Sequence, residues 1–241
     1  MKILTPFNNG LIIALFHLFT SGYAYANYFK ISPIIQNTMG ERVTYTITSE
    51  NETKDQYIQM KITKVISPKN ADEKEIELDK LNEIKVIPDK LILKPNDQKK
   101  VQVVILNQGV EKEQVYRVFF NQISEDEYYS KSKSINGVSA NASMTLALGA
   151  VLRIVPKVNV EDLLITGESV KNNGNTHFTI IEECVGLSHD SCIWQKPELS
   201  INVYSGNRYK WESNNGETVM KAKIKFPQDK KLITINKNSF Y

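Results

Sequence analysis

The feature that most constrains this chain is the stretch Ser139 to Pro156, SANASMTLALGAVLRIVP. From Met144 to Ile154 every second residue is apolar: Met144, Leu146, Leu148, Ala150, Leu152 and Ile154. That period puts these side chains on one face of a β-strand. The opposite register, Thr145, Ala147, Gly149, Val151, Arg153 and Val155, begins small and polar and turns apolar at its end. A strand with one strongly apolar face has to cover that face. Either the chain's own core or another protein supplies the cover, and part of it is expected to come from another protein.

The rest of the chain has a related texture. Short alternating segments recur with turn residues between them, and no long amphipathic helix is legible. This is the pattern of a β-sandwich. Arg42 to Thr48 alternates with Val43, Tyr45 and Ile47 inward, and Tyr57 to Ile66 does the same with Ile58, Met60 and Ile62. Pro33 lies inside the extended segment Tyr28 to Gln36. A proline cannot donate to a ladder, so that segment is expected at an edge or changing sheets. Lys69 to Lys80 is charge-rich and reads as a solvated excursion. Ile84–Ile87, Leu91–Leu93, Lys100–Leu106 and Val115–Ile123 read as further strands. Ser124 to Val138 reads as a polar loop of about fifteen residues, a length that is usually functional or disordered.

Residues 27–156 therefore make one immunoglobulin-sized sandwich, and 157–241 a smaller second one with Asn-Gly hairpin signals at 173–174 and 215–216. At 241 residues the chain is long enough for both. Residues 1–26 read as a secretory signal. Lys2 opens it, Leu11–Phe19 is an apolar run too short to span a bilayer, and Ala24-Tyr25-Ala26 is a cleavage site. An exported protein meets an oxidising compartment, so Cys184 and Cys192 are expected to form a disulfide. A redox or metal pair is the alternative, but it lacks the C-x-x-C spacing.

The function classes narrow by elimination. A formal charge of +3 gives no support to nucleic-acid binding. No G-x-S-x-G, H-E-x-x-H, phosphate loop or dinucleotide fingerprint occurs, so no enzyme, cofactor or metal is expected. After removal of the leader only His177 and His189 remain, neither with a partner at metal-ligand spacing. A secreted adhesin or ligand-binding module, using exposed aromatics such as Tyr128 and Tyr129, stays open as an alternative.

The run IKVIPDKLILKPNDQKKVQVVIL, then VYRVFFNQI, a long loop, and ALGAVLRIVP resembles the periplasmic chaperones of the chaperone–usher pilus pathway. The start NYFKISPIIQNTMGERVTYTITSENETKDQYIQMKITKVISP and the run SVKNNGNTHFTIIEECVGLSHDSC are most similar to its alternate branch, which serves colonisation-factor and common-pilus fimbriae. The resemblance implies an all-β chain of two immunoglobulin-like domains in an L-shaped arrangement with a cleft between them. It implies a periplasmic location and a role in pilus assembly and delivery to an outer-membrane usher. It further implies donor-strand complementation, in which the chaperone lends a strand to subunits that lack one. The lent residues would be Met144, Leu146 and Leu148, with Ala142, while Thr145 and Ala147 pack toward the chaperone. The uncapped protein would expose an apolar patch or cover it by self-association. Conventional members anchor the subunit's terminal carboxylate with two basic residues. Their positions fall here near Pro33 and on Val151, neither basic. Arg153 is the candidate replacement, with Arg117 and Lys157 behind it; an interdomain or surface ion pair is the competing role for Arg153.

Overall fold

The computed structural model describes residues 28–66, 68, 74–77, 83–107, 109–129, 146–186, 191–213, 216–229 and 231–239. Two sandwiches follow one another along the chain, each with its own core.

The first sheet of the first sandwich runs β1-β3-β8-β6, from Phe29–Ser32, Arg42–Ser49, Gln98–Ile105 and Ile84–Ile87. The second runs β2-β10-β9-β4-β5, from Ile35–Thr38, Ala147–Ile154, Gln114–Ile123, Gln56–Val65 and Glu75–Glu77, with β7 (Lys90–Leu93) also paired to β4. Alternation turns one face of every strand inward. Tyr45, Ile47, Val101 and Val103 of one sheet meet Ile58, Met60, Val118, Phe120, Ala150 and Leu152 of the other. Tyr45 and Phe120 meet edge to face at 5.7 Å. Complete burial of a side chain such as Leu152 contributes about 1.5–3 kcal/mol.

Pro33 separates β1 from β2, which lie in different sheets, so the chain changes sheets there. β2 then pairs with β10 in parallel, Ile35–Thr38 against Val151–Ile154. The charge-rich excursion is exposed where described, as expected, but part of it is ordered as a strand. Glu75–Glu77 forms the short edge strand β5 against Thr63–Val65, held by an Arg117–Glu75 ion pair and a Thr63 hydroxyl bond to Glu75. The segment after β9 begins with one helical turn, α1 (Glu125–Tyr128), capped by the Ser124 hydroxyl accepting from the Glu127 N–H.

The second sandwich packs β11-β12-β16 (Leu163–Ile165, Ser169–Asn172, Arg208–Lys210) against β14-β13-β17-β18 (Ile193–Gln195, Phe178–Val185, Val219–Lys225, Ile233–Asn236), with β15 (Ile201–Val203) on β13. Its core includes Val170, Phe178, Trp211, Val219, Ile224 and Phe226. Cys184 and Cys192 are joined in a disulfide, Cα to Cα 5.2 Å. Trp211 is buried, whereas Trp194 lies at the rim with the Lys223 ammonium 4.4 Å from its ring centre.

Candidate donor strand and interdomain cleft

β10 is bonded differently in its two halves. Along its whole length it pairs antiparallel with β9, Ala147 opposite Asn121 through Ile154 opposite Gln114. On its other edge β2 covers only Val151 to Ile154. Among the described residues nothing pairs with Ala147 to Ala150 on that edge. Backbone groups alternate in direction along a strand. The Gln122 N–H donates to the Leu146 carbonyl, so even-numbered residues bond toward β9. The Val151 N–H donates to the Ile34 carbonyl, so odd-numbered residues bond the other way. Ala147 and Gly149 thus aim their backbone groups at an open edge.

The side chains follow the same division. Leu148, Ala150, Leu152 and Ile154 lie on the inner face. Ala150, Leu152 and Ile154 are fully enclosed, while Leu146 and Leu148 are only partly buried against the end of the core. Met144 and Ala142 lie outside the described residues. One expectation is corrected. Ala147 does not pack toward its own domain; it sits exposed on the outer face opposite Asn121. The reason is the strand period, which gives the inner face to the leucines and leaves the odd-numbered residues outside.

Near its C-terminal end β10 enters the junction between the sandwiches. Arg153, on the outer face and only 7% exposed, turns into that junction. Its Nε lies 3.1 Å from the Tyr204 hydroxyl and 3.7 Å from Glu113 Oε1, and its Nη1 is 3.5 Å from Asn37 Oδ1. Glu113 is more enclosed still, its side chain 2% exposed. It also accepts from the His177 backbone N–H at 2.7 Å, and His177 Nδ1 is 2.7 Å from its Oε2. Since a carboxylate only accepts, Nδ1 carries the hydrogen. Arg153 is therefore held at the junction by an ion pair to Glu113 of its own domain and a hydrogen bond to Tyr204 of the second. A solvated hollow of about 280 Å³ opens beside it, lined among others by Ile35, Asn37, Arg153, His177, Asn202 and Lys225. Among the described residues Lys225 makes no ion pair.

The other basic candidates are elsewhere. Arg117 lies on the outer face of β9, bound to Glu75. Lys157 lines a separate hollow of about 320 Å³ with Val110, Pro156 and Val158. Tyr128 and Tyr129 stack on each other and on Tyr57, ring centres 5.1–6.1 Å apart. Sequence reasoning missed Glu113 and Lys225. Lys225 ends the alternating strand VMKAKIK and carries no local sign that it faces another domain.

No family model matches the chain. An Escherichia coli protein described as a subunit of the CS1 fimbriae is 27% identical over 192 residues, spanning 75% of this chain and 79% of that protein. The class 5 fimbriae chaperone CfaA has a solved structure that superposes with a TM-score of 0.64 at 19% identity, covering 88% of this chain and all of CfaA. A structure described as a chaperone–tip adhesin complex of CFA/I fimbriae biogenesis gives 0.62 at 21% identity, over 88% and 99% of the two chains. The periplasmic chaperone SfaE gives 0.53 at 14% identity, over 87% and 98%. The chain thus has the two-domain immunoglobulin-like fold of these fimbrial chaperones. Among the described residues no helix is long and apolar enough to cross a membrane.

Proposed function

We propose that this protein is a periplasmic chaperone without enzymatic activity that caps pilus subunits by lending them the first half of β10, then delivers them to an outer-membrane usher. The observation that carries the reading is the half-paired strand: among the described residues Ala147 to Ala150 are bonded along one edge only, beside Leu146 and Leu148 left partly uncovered. An incoming strand bonds to Ala147 and Gly149 and sets its own core against the leucines, which is β-augmentation. Met144 and Ala142, on the same sequence period, are the proposed upstream continuation of the lent residues. Export through the leader-like residues 1–26 brings the protein to the compartment where such subunits fold. The names of its relatives, a fimbrial protein and fimbrial chaperones, support the pathway.

In this reading the end of the client chain lies in the interdomain hollow. Arg153 lines it with its charge already balanced by Glu113. Lys225, from the second domain, is then the cation left to meet a terminal carboxylate. Neither Arg117, bound to Glu75, nor Lys157, which lines a separate hollow, lines this one.

The test is whether the tagged full chain captures a pilus subunit from periplasmic extracts. The double variant Leu146→Glu, Leu148→Glu is expected to lose the subunit while still melting cooperatively, and Lys225→Glu to retain less of it. An unchanged subunit yield in the double variant would overturn strand donation.

A further inference from the structure

Gly149 has no internal reason to be glycine. Its register against β9 runs without a shift from Ala147 to Ile154, so it marks no bulge. It is not among the residues with positive φ. A Cβ placed on it would sit 3.5 Å from a Phe119 ring carbon and 3.7 Å from the Arg117 stem, which is ordinary contact. A glycine inside a strand otherwise weakens it, or marks a close approach by another chain.

Its neighbours give the approach a direction. Phe119 lies directly opposite on β9, on the outer face, half-buried. One edge of its ring, with the Arg117 stem, borders the space a Gly149 side chain would take, a place where aromatics accompany glycines near sheet edges. The next position beyond β10 is the open edge. Two strand spacings separate β9 from a strand added there, about 9.5 Å. A side chain on β10 would normally stand between them. At Gly149 none does, so an outer-face side chain of the added strand meets the Phe119 ring directly.

We infer that Phe119 and Gly149 form an outer-face notch that receives a large apolar side chain, β-branched or aromatic, of the client strand bonded to β10. This contact lies on the face opposite Leu146 and Leu148. It gives the client a second reading of its sequence, since cross-strand apolar and aromatic pairs select their partners. The inference rests on the strand-donation reading and is tested separately from it.

The probe is the pilus subunit that the tagged chain captures, released by competition with untagged protein. Phe119→Leu keeps an apolar strand former but removes the ring, and Gly149→Val fills the notch. Each is expected to shorten the lifetime of the complex about tenfold with the melting temperature little changed. F119W gives a direct readout, its added fluorescence shifting to the blue on capture relative to the wild-type tryptophans. Wild-type lifetimes in both variants, or no shift in F119W, overturn the notch. Should L148E alone leave capture unchanged, it is strand donation that fails, and the notch falls with it.

Discussion

Glu183 shows how a single residue departs from its strand pattern. It is 1% exposed in the second core, accepting from the Tyr209 hydroxyl at 2.7 Å. Burial raises its carboxyl pKa above the ordinary value, and the Tyr209 bond opposes that in part. The Tyr209 hydroxyl is pushed well up by its own burial and by Glu183. The sign of the pH effect follows. The folded state holds the Glu183 proton more tightly than the unfolded chain does. Its contribution to stability is therefore full below the ordinary carboxylate range and is lost as pH rises through the raised value. Glu183→Gln still accepts from Tyr209 and cannot ionise. Thermal melts of both proteins from pH 4 to pH 7 should show the advantage of the variant growing with pH. A difference independent of pH would refute a buried, ionising carboxylate. The sequence HFTIIEEC does not reveal this. Plain alternation from Phe178 and Ile180 turns Glu182 inward, but an irregularity between Ile180 and Glu182 gives the core to Glu183 instead.

At the scale of elements, turns joining the two sandwiches matter as much as strands. The loop between β12 and β13, Asn173–His177, follows the buried Asn172, whose amide donates to the carbonyls of Thr176 and Val203. The N–H groups of Asn173 and Gly174 both donate to the Asp162 carbonyl. A Cβ on Gly174 would stand 2.3 Å from the Val160 carbonyl oxygen, a backbone atom that cannot step aside. Gly174→Ala should therefore destabilise by about 2–3 kcal/mol, the upper part of the usual range, read as an earlier urea midpoint with unchanged slope. Stability equal to wild type would show that the turn relaxes. The long elements were legible because alternation over many residues is hard to imitate: β3 buries Val43, Tyr45 and Ile47 as the pattern demands, and β4 buries Ile58 and Met60, with Ile62 half-buried where the alternation breaks down. β5 was not, since three exposed residues, Glu75, Ile76 and Glu77, hold their place through Arg117 and Thr63 rather than through a core. The open edge of β10 was also invisible, because pairing on a strand's second edge depends on where β2 ends, and no local residue pattern states that.

At the scale of the whole molecule, the two cores share no residue among those described, and polar contacts join the domains. Asn175 donates to the carbonyls of Glu111 and Val158, Gln228 to that of Pro156, and Asn207 to that of Pro68. Glu113 stands at the centre, facing Arg153 of the first domain and both the backbone and ring of His177 of the second. Periodicity placed Arg153 on β10 but could not supply Glu113, which sits in the polar run EKEQ just before β9. Removing one partner of a buried pair leaves the other charge enclosed without compensation, a loss of about 3–5 kcal/mol. Glu113→Ala strips Arg153 and His177 of their common acceptor while touching neither hydrophobic core. The loss should therefore appear as uncoupling of the domains rather than as unfolding of either. Calorimetry should resolve two transitions where the wild-type domains melt together, and solution scattering should show a broader spread of interdomain angles. Because Lys225 and β10 approach the cleft from different domains, the same variant should also hold captured subunits more weakly. A single transition at the wild-type temperature, with unchanged scattering, would mean that the amide contacts of Asn175, Asn207 and Gln228 fix the domains without Glu113.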